Sequence, residues 1–208
     1  MARHFTLLFL LFQSCFSPAS TQEQTKPVTV IHFPEFNIKI LDYEVEQDEQ
    51  LRLAQNNKST LSINCIPGEI PEGREIKLEG DLVEDVKLSF YYETAIYVTD
   101  DGVSCDLSYW KHYTSAIKPL MTLKSGYLYP KLNRAERSLF DPVDIDEVKK
   151  EVKNNCGDTF YKLIKQHRSI YQSPCEVDVY RYALKISGKV KSTGERFVKT
   201  VIFELPLD

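Results

Sequence analysis

Apolar residues alternate with polar ones towards both ends of the chain and recur at three- or four-residue spacing in its middle. In 28–45, Val28, Val30, Phe36, Ile38 and Ile40 fall at short, partly alternating intervals around Pro34, which predicts two strands or one bent edge strand. Leu61, Ile63 and Cys65 alternate next, and Pro67-Gly68-Glu69-Ile70-Pro71-Glu72-Gly73 predicts a loop. Ile76, Leu78 and Leu82 lead into the longest strand-like stretch, 86–98. There Val86, Leu88, Phe90 and Tyr92 share one face and Tyr91 takes the other, before the turn Asp100-Asp101-Gly102.

From Cys105 the period changes. Asp106 or Ser108 caps a predicted short helix carrying Trp110, Tyr113, Ile117 and Leu120, limited in length by Pro119. Residues 123–141 show no period. Asp144 opens a second predicted helix with Asp146 and Glu147 in its first turn, where the helix dipole favours acids. Asp158 caps a third, whose apolar stripe is Phe160, Leu163, Ile164 and His167. After Pro174 strands return. Val177 and Val179 lie on one side, then Tyr180, Tyr182, Leu184 and Ile186 on the other, with a register change expected near Arg181. A turn at 192–195 and the run 198–205 complete a terminal hairpin. Strands, helices and strands in that order predict a mainly β protein, an antiparallel β-sandwich with a helical insertion between Cys105 and Cys175. No repeat or linker divides 28–208, which reads as one domain.

Composition narrows the function classes. The 208 residues include 11 Phe, 12 Tyr and 1 Trp against 8 Gly and 10 Pro, a balance of folded rather than disordered chains. The formal charge of −4 offers polyanions no general attraction and sets nucleic acid aside as a partner. Residues 1–19 read as a signal peptide, with Arg3 in the n-region, an apolar core over 5–12 and small residues at Ser17 and Ala19; 20–27 follow as a flexible leader. The apolar run is interrupted by Gln13 and Ser14 and is too short to span a bilayer. The expected location is extracellular or the lumen of the secretory pathway.

That location gives the cysteines their meaning. Cys15 leaves with the signal, and Cys65, Cys105, Cys156 and Cys175 form an even set, predicting two disulfides in one of three connectivities. Their spacing lacks the close pairs of a zinc site, so no metal is expected. Asn57-Lys58-Ser59 is a glycosylation sequon in a polar run expected at a hairpin tip.

No catalytic constellation emerges, and no cofactor is implied. Beyond the signal the histidines are His32, His112 and His167, and no nucleophile elbow, zinc-protease motif or phosphate loop accompanies them. Asp141, Asp144, Asp146 and Glu147 lack the glycine turn and terminal glutamate of a calcium loop. The remaining signal is aromatic. Phe90, Tyr92, Trp110, Tyr113, Phe160, Ile164, Tyr182, Leu184 and Phe203 are the candidate walls of a cavity for a lipid or other hydrophobic small molecule.

Leu88-Ser89-Phe90-Tyr91 running towards Val103-Ser104-Cys105-Asp106-Leu107, then Ser173-Pro174-Cys175 and a final hairpin ending Val201-Ile202-Phe203-Glu204-Leu205, resembles secreted ML-type lipid-recognition domains of the ganglioside-activator branch. The resemblance implies an immunoglobulin-like β-sandwich that holds a lipid between its sheets and presents it to a membrane, receptor or enzyme. Two other readings stay open. An extracellular protein–protein interaction module would have a solid core and use Tyr127, Tyr129 or Phe140 as contact anchors. A secreted hydrolase would bring acids or histidines, His112 and His167 among them, together in one cleft.

Overall fold

A computed structural model describes residues 26–48 and 59–206; the signal peptide, most of the leader and the Asn57 sequon lie outside them. At the first described position, Lys26 Nζ sits 2.6 Å from Asp42 Oδ2.

The chain folds as two facing sheets. One contains β1 (Val28–His32), β2 (Asn37–Leu41), β4 (Glu75–Glu79), β9 (Met121–Thr122) and β10 (Tyr127–Leu128), in the order β1-β2-β4-β10-β9. The other follows the order β3-β12-β11-β5-β6, from β3 (Thr60–Asn64), β12 (Arg196–Glu204), β11 (Cys175–Val190), β5 (Val83–Asp100) and β6 (Val103–Asp106). Pairing is antiparallel except between β3 and β12. The predicted sandwich is therefore the observed fold class. The 28–45 segment forms two strands because the turn around Pro34 lets Phe33 N reach Phe36 O at 2.9 Å.

The inner face of the larger sheet carries Leu88, Phe90 and Tyr92 from β5 opposite Ile186, Leu184 and Tyr182 from β11. Further along, Ile96 and Val98 face Val177 and Cys175. These sets have opposite parity on β11, and the register shift between Val179 and Arg181 reconciles them. The expected register change is thus a bulge. It keeps Val177 and Val179 on the same face as Tyr182, Leu184 and Ile186, and it turns Tyr180 to pack with Ala95 and Tyr97.

The helical insertion covers only the distal part of this sheet. A four-residue helix, α1 (Arg134–Arg137), is closed by a capping box in which Asn133 and Glu136 exchange side-chain and backbone hydrogen bonds. The longer α2 (Ile145–Ile164) begins at Asp144, whose side chain accepts from Asp146 N at 2.9 Å. Gly157, at φ 85°, breaks α2 in a backbone region that other residues avoid, between the two predicted helices. Val148, Val152 and Ile164 bury against Ile96, Val98, Leu107 and Val177.

Two expectations are corrected. The predicted helix after Cys105 is extended chain: β7 (Tyr113–Thr114) and β8 (Lys118–Pro119) pair with β5, and Leu120 N donates to Leu88 O at 3.0 Å. Covering the exposed edge of β5 outweighs the weak helical period. Asp106 caps only a turn, accepting from Ser108 N at 2.7 Å. The second correction concerns the bridges. Cys105 joins Cys156, but Cys175 is a buried free thiol and is not joined to Cys65. Cys175 packs in the distal cluster, whereas Cys65 belongs to the main one and lies 3.2 Å from the Tyr43 hydroxyl.

The Cys105–Cys156 bridge closes a separation of 51 residues. Replacing both cysteines by alanine is expected to lower unfolding free energy by about 2–4 kcal/mol in urea titration; an unchanged midpoint would contradict this role. Burial, then the charge of Glu176, raises the Cys175 pKa from 9.0 to about 12. The native thiol keeps its proton where the unfolded chain loses it. Its contribution to stability is full below pH 9 and declines as pH rises towards about 12. Iodoacetamide at pH 8 is expected to label Cys175 only after denaturation, as read by peptide mass spectrometry.

Candidate functional site

The nine residues expected to wall a cavity divide between two clusters. Phe90, Tyr92, Tyr182, Leu184 and Phe203 bury in the main core, with Tyr113 packed partly against it. Ile164 buries in the distal cluster, where Trp110 and Phe160 pack partly against it. Between the sheets the space beside the first group is taken by Tyr129. Its ring centroid lies 5.4 Å from Phe90, 6.0 Å from Tyr182 and 6.4 Å from Phe203.

Tyr129 was expected as an exposed anchor, and it is fully buried. Strand β10 sets the smaller sheet's end over the larger one, so the following side chain enters the core. Gly126 permits the turn before β10, because a Cβ there would sit 2.4 Å from Ile76 O. The Tyr129 hydroxyl donates to Ala183 O at 3.2 Å, satisfying a group that burial would otherwise penalise. Burial is the first cause of its strongly raised pKa, followed by Glu72.

A polar network closes the core beside this ring. Glu72, whose side chain is 7% exposed, accepts from the Tyr182 hydroxyl, from Arg137 Nη2 at 2.8 Å and from Leu132 N at 3.2 Å. Arg137 Nη1 also donates to Asp178 Oδ1 at 3.2 Å. Burial, then Glu72, pushes the Tyr182 hydroxyl far above its ordinary pKa. Nothing in the pattern singles out Glu72 or Arg137, since one lies in a turn-rich loop and the other in the aperiodic segment.

On the surface, the turn after β6 and the segment after α1 meet. Trp110, His112, Phe140, Asp141, Pro142 and Val143 line a pocket of about 250 Å³. Trp110 N donates to Leu107 O at 3.0 Å, which ties the turn to a buried residue of the distal cluster. Lys111 Nζ lies 4.6 Å above the Trp110 ring and 2.6 Å from Glu147 Oε2. Tyr109, Leu139 and Tyr171 are exposed next to these segments in the chain or through contact, the Tyr171 hydroxyl donating to Ser138 O at 3.2 Å. Of the expected anchors, Phe140 belongs to this surface, and Tyr127 packs partly against the main core.

The histidines are dispersed. His32 Nδ1 lies 2.9 Å from Asn37 Oδ1, His167 Nε2 lies 3.0 Å from Ser173 O, and the His112 ring stands 6.1 Å from that of Tyr180. Among the described residues no group of three His, Cys, Asp or Glu could hold a metal ion. The chain matches no protein-family model, no curated protein and no solved structure. The ML-type likeness rests on the residues quoted for it.

Replacing Tyr129 separates its two contributions. Tyr129→Phe is expected to cost about 1 kcal/mol for the lost hydrogen bond, and Tyr129→Ala about 3–5 kcal/mol for the cavity left behind. Urea titration measures both, and a neutral Tyr129→Ala would show that the ring does not fill the core.

Proposed function

We propose that the protein is an exported protein-recognition module that binds its partner through the Trp110–Phe140 surface. The observation that carries this reading is a contrast in packing. The rings of the sandwich interior close on one another around Tyr129, whereas Trp110 and Phe140 remain partly open around a pocket sized for one apolar side chain. Tryptophan and tyrosine recur where interfaces concentrate binding energy, because they offer large rigid surface at little entropic cost. The surface is held in advance. Cys105 leads into the Trp110 turn and is bridged to α2, so little ordering remains to oppose association.

Export accords with the disulfide, and no described helix is long and apolar enough to cross a membrane. A lipid between the sheets, as the ML-type resemblance implies, would need the room that Tyr129 and its neighbours fill.

The test combines capture with extraction. Immobilised protein, offered secretions and cell-surface extracts, is expected to retain a partner. Trp110→Ala with Phe140→Ala should bind that partner about 30-fold or more weakly while thermal unfolding shows the variant still folded. A partner held equally by this variant, or stoichiometric lipid recovered by solvent extraction of the purified protein, would overturn the reading.

A further inference from the structure

Strand β11 outruns its neighbour. The pairing with β12 ends at Arg181 opposite Glu204, Leu205 N donates to Tyr180 O at 3.0 Å, and Pro206 has no N–H to continue a ladder. Cys175 to Val179 therefore pair with β5 on one side. Among the described residues no strand pairs with the other side, which adjoins a groove of about 440 Å³ between this edge and the loop at 66–70.

The chemistry of the groove is one-sided. Glu69, Glu176 and Asp178 line it, and Glu72 stands behind its Arg137 wall. Two guanidinium groups answer these four carboxylates: Arg74 pairs with Glu69 at 3.1 Å, and Arg137 bridges Glu72 and Asp178. Glu176 is exposed. Ile70 and Leu205 add apolar wall. Tyr97 also lines the groove; it is 9% exposed, yet its hydroxyl forms no hydrogen bond with a described residue. Burial, then Asp106 and Asp178, holds this phenol protonated well above the usual range. The ring is buried while the hydroxyl oxygen reaches the groove, where its lone pairs are available to an entering N–H donor.

We infer that this groove binds the basic side chain, arginine before lysine, of an extended partner segment lying along the free edge of β11. An aliphatic stem suits the apolar wall, and the head meets two carboxylates and the phenol oxygen. A planar guanidinium reaches several such acceptors at once. Although Cys175 N already donates to Gln172 O and Val179 N to Asp178 Oδ1, no described strand pairs with this side of 175–179, so an extended segment can lie along it. This site is separate from the Trp110–Phe140 pocket and does not depend on its role.

The probe is a fluorescein-labelled nonapeptide alternating valine and arginine, compared with the same peptide bearing citrulline, which keeps the shape and loses the charge. Fluorescence anisotropy with the full secreted protein is expected to show saturable binding of the arginine peptide and at least about tenfold weaker binding of the citrulline peptide. Glu176→Gln should weaken the arginine peptide about tenfold and Tyr97→Phe about threefold, while Trp110→Ala leaves it unchanged. Thermal unfolding verifies that each variant is folded. Equal affinity for the two peptides, no saturable binding, or indifference to Glu176→Gln and Tyr97→Phe in folded protein would each overturn the inference. Failure here leaves the Trp110–Phe140 reading intact, because that reading is judged on a different variant and a different ligand.

Discussion

An apolar row that runs the length of two long strands must be shielded from water over that whole length. Strand β5 has 18 residues, which at strand rise is about 60 Å of chain, whereas the longest strands of the facing sheet have five residues, about 17 Å. The smaller sheet therefore covers Leu88, Phe90 and Tyr92 but leaves Ile96 and Val98 to another layer. The bulge at Tyr180 maintains the row on one face, because a one-residue slip would send every later β11 side chain to the opposite side. The second layer is α2 with Leu107, fastened by the Cys105–Cys156 bridge.

The same mismatch of lengths generates both surfaces of interest. The segment that carries the chain from β6 to the smaller sheet and back to α2 is largely irregular, and where its two arms meet the aromatic side chains are only half covered. On the other flank, β12 has 9 residues against the 16 of β11, so the first turn of β11 after the cis-linked Pro174 is left with an open side. Under the facing sheet, Tyr129 and Tyr182 bury their hydroxyls against hydrogen-bond partners. Tyr97, beyond that cover, retains an unused hydroxyl.

The strands were legible because each buries one face. Alternation at Leu61 and Ile63, at Leu88 to Tyr92 and at Tyr182 to Ile186 marks elements that the structure contains, and the parity switch along β11 marks its bulge. The start of the first helical segment was legible from Asp144, whose side chain accepts from Asp146 N, and Asp158 directly follows the break at Gly157. The extended course of 113–120 was not, because three- and four-residue spacing in Trp110, Tyr113, Ile117 and Leu120 arose without a helix: Leu120 is buried while Ile117 is exposed. Strands β9 and β10, of two residues each, carry no period at all. Bridge pairing depends on which sheet end each cysteine reaches, and the Glu72–Arg137 network joins residues far apart in sequence. Both depend on tertiary placement that composition does not encode.

Hydrogen exchange after selective reduction of Cys105–Cys156 measures the division of the core most directly. The two-layer account predicts that amides of Ile96–Val98 and Cys175–Val179 lose protection as α2 loosens, while those of Leu88–Tyr92 and Tyr182–Ile186 retain it under the facing sheet. Protection lost to the same degree along all of β5 and β11, or retained throughout, would contradict it.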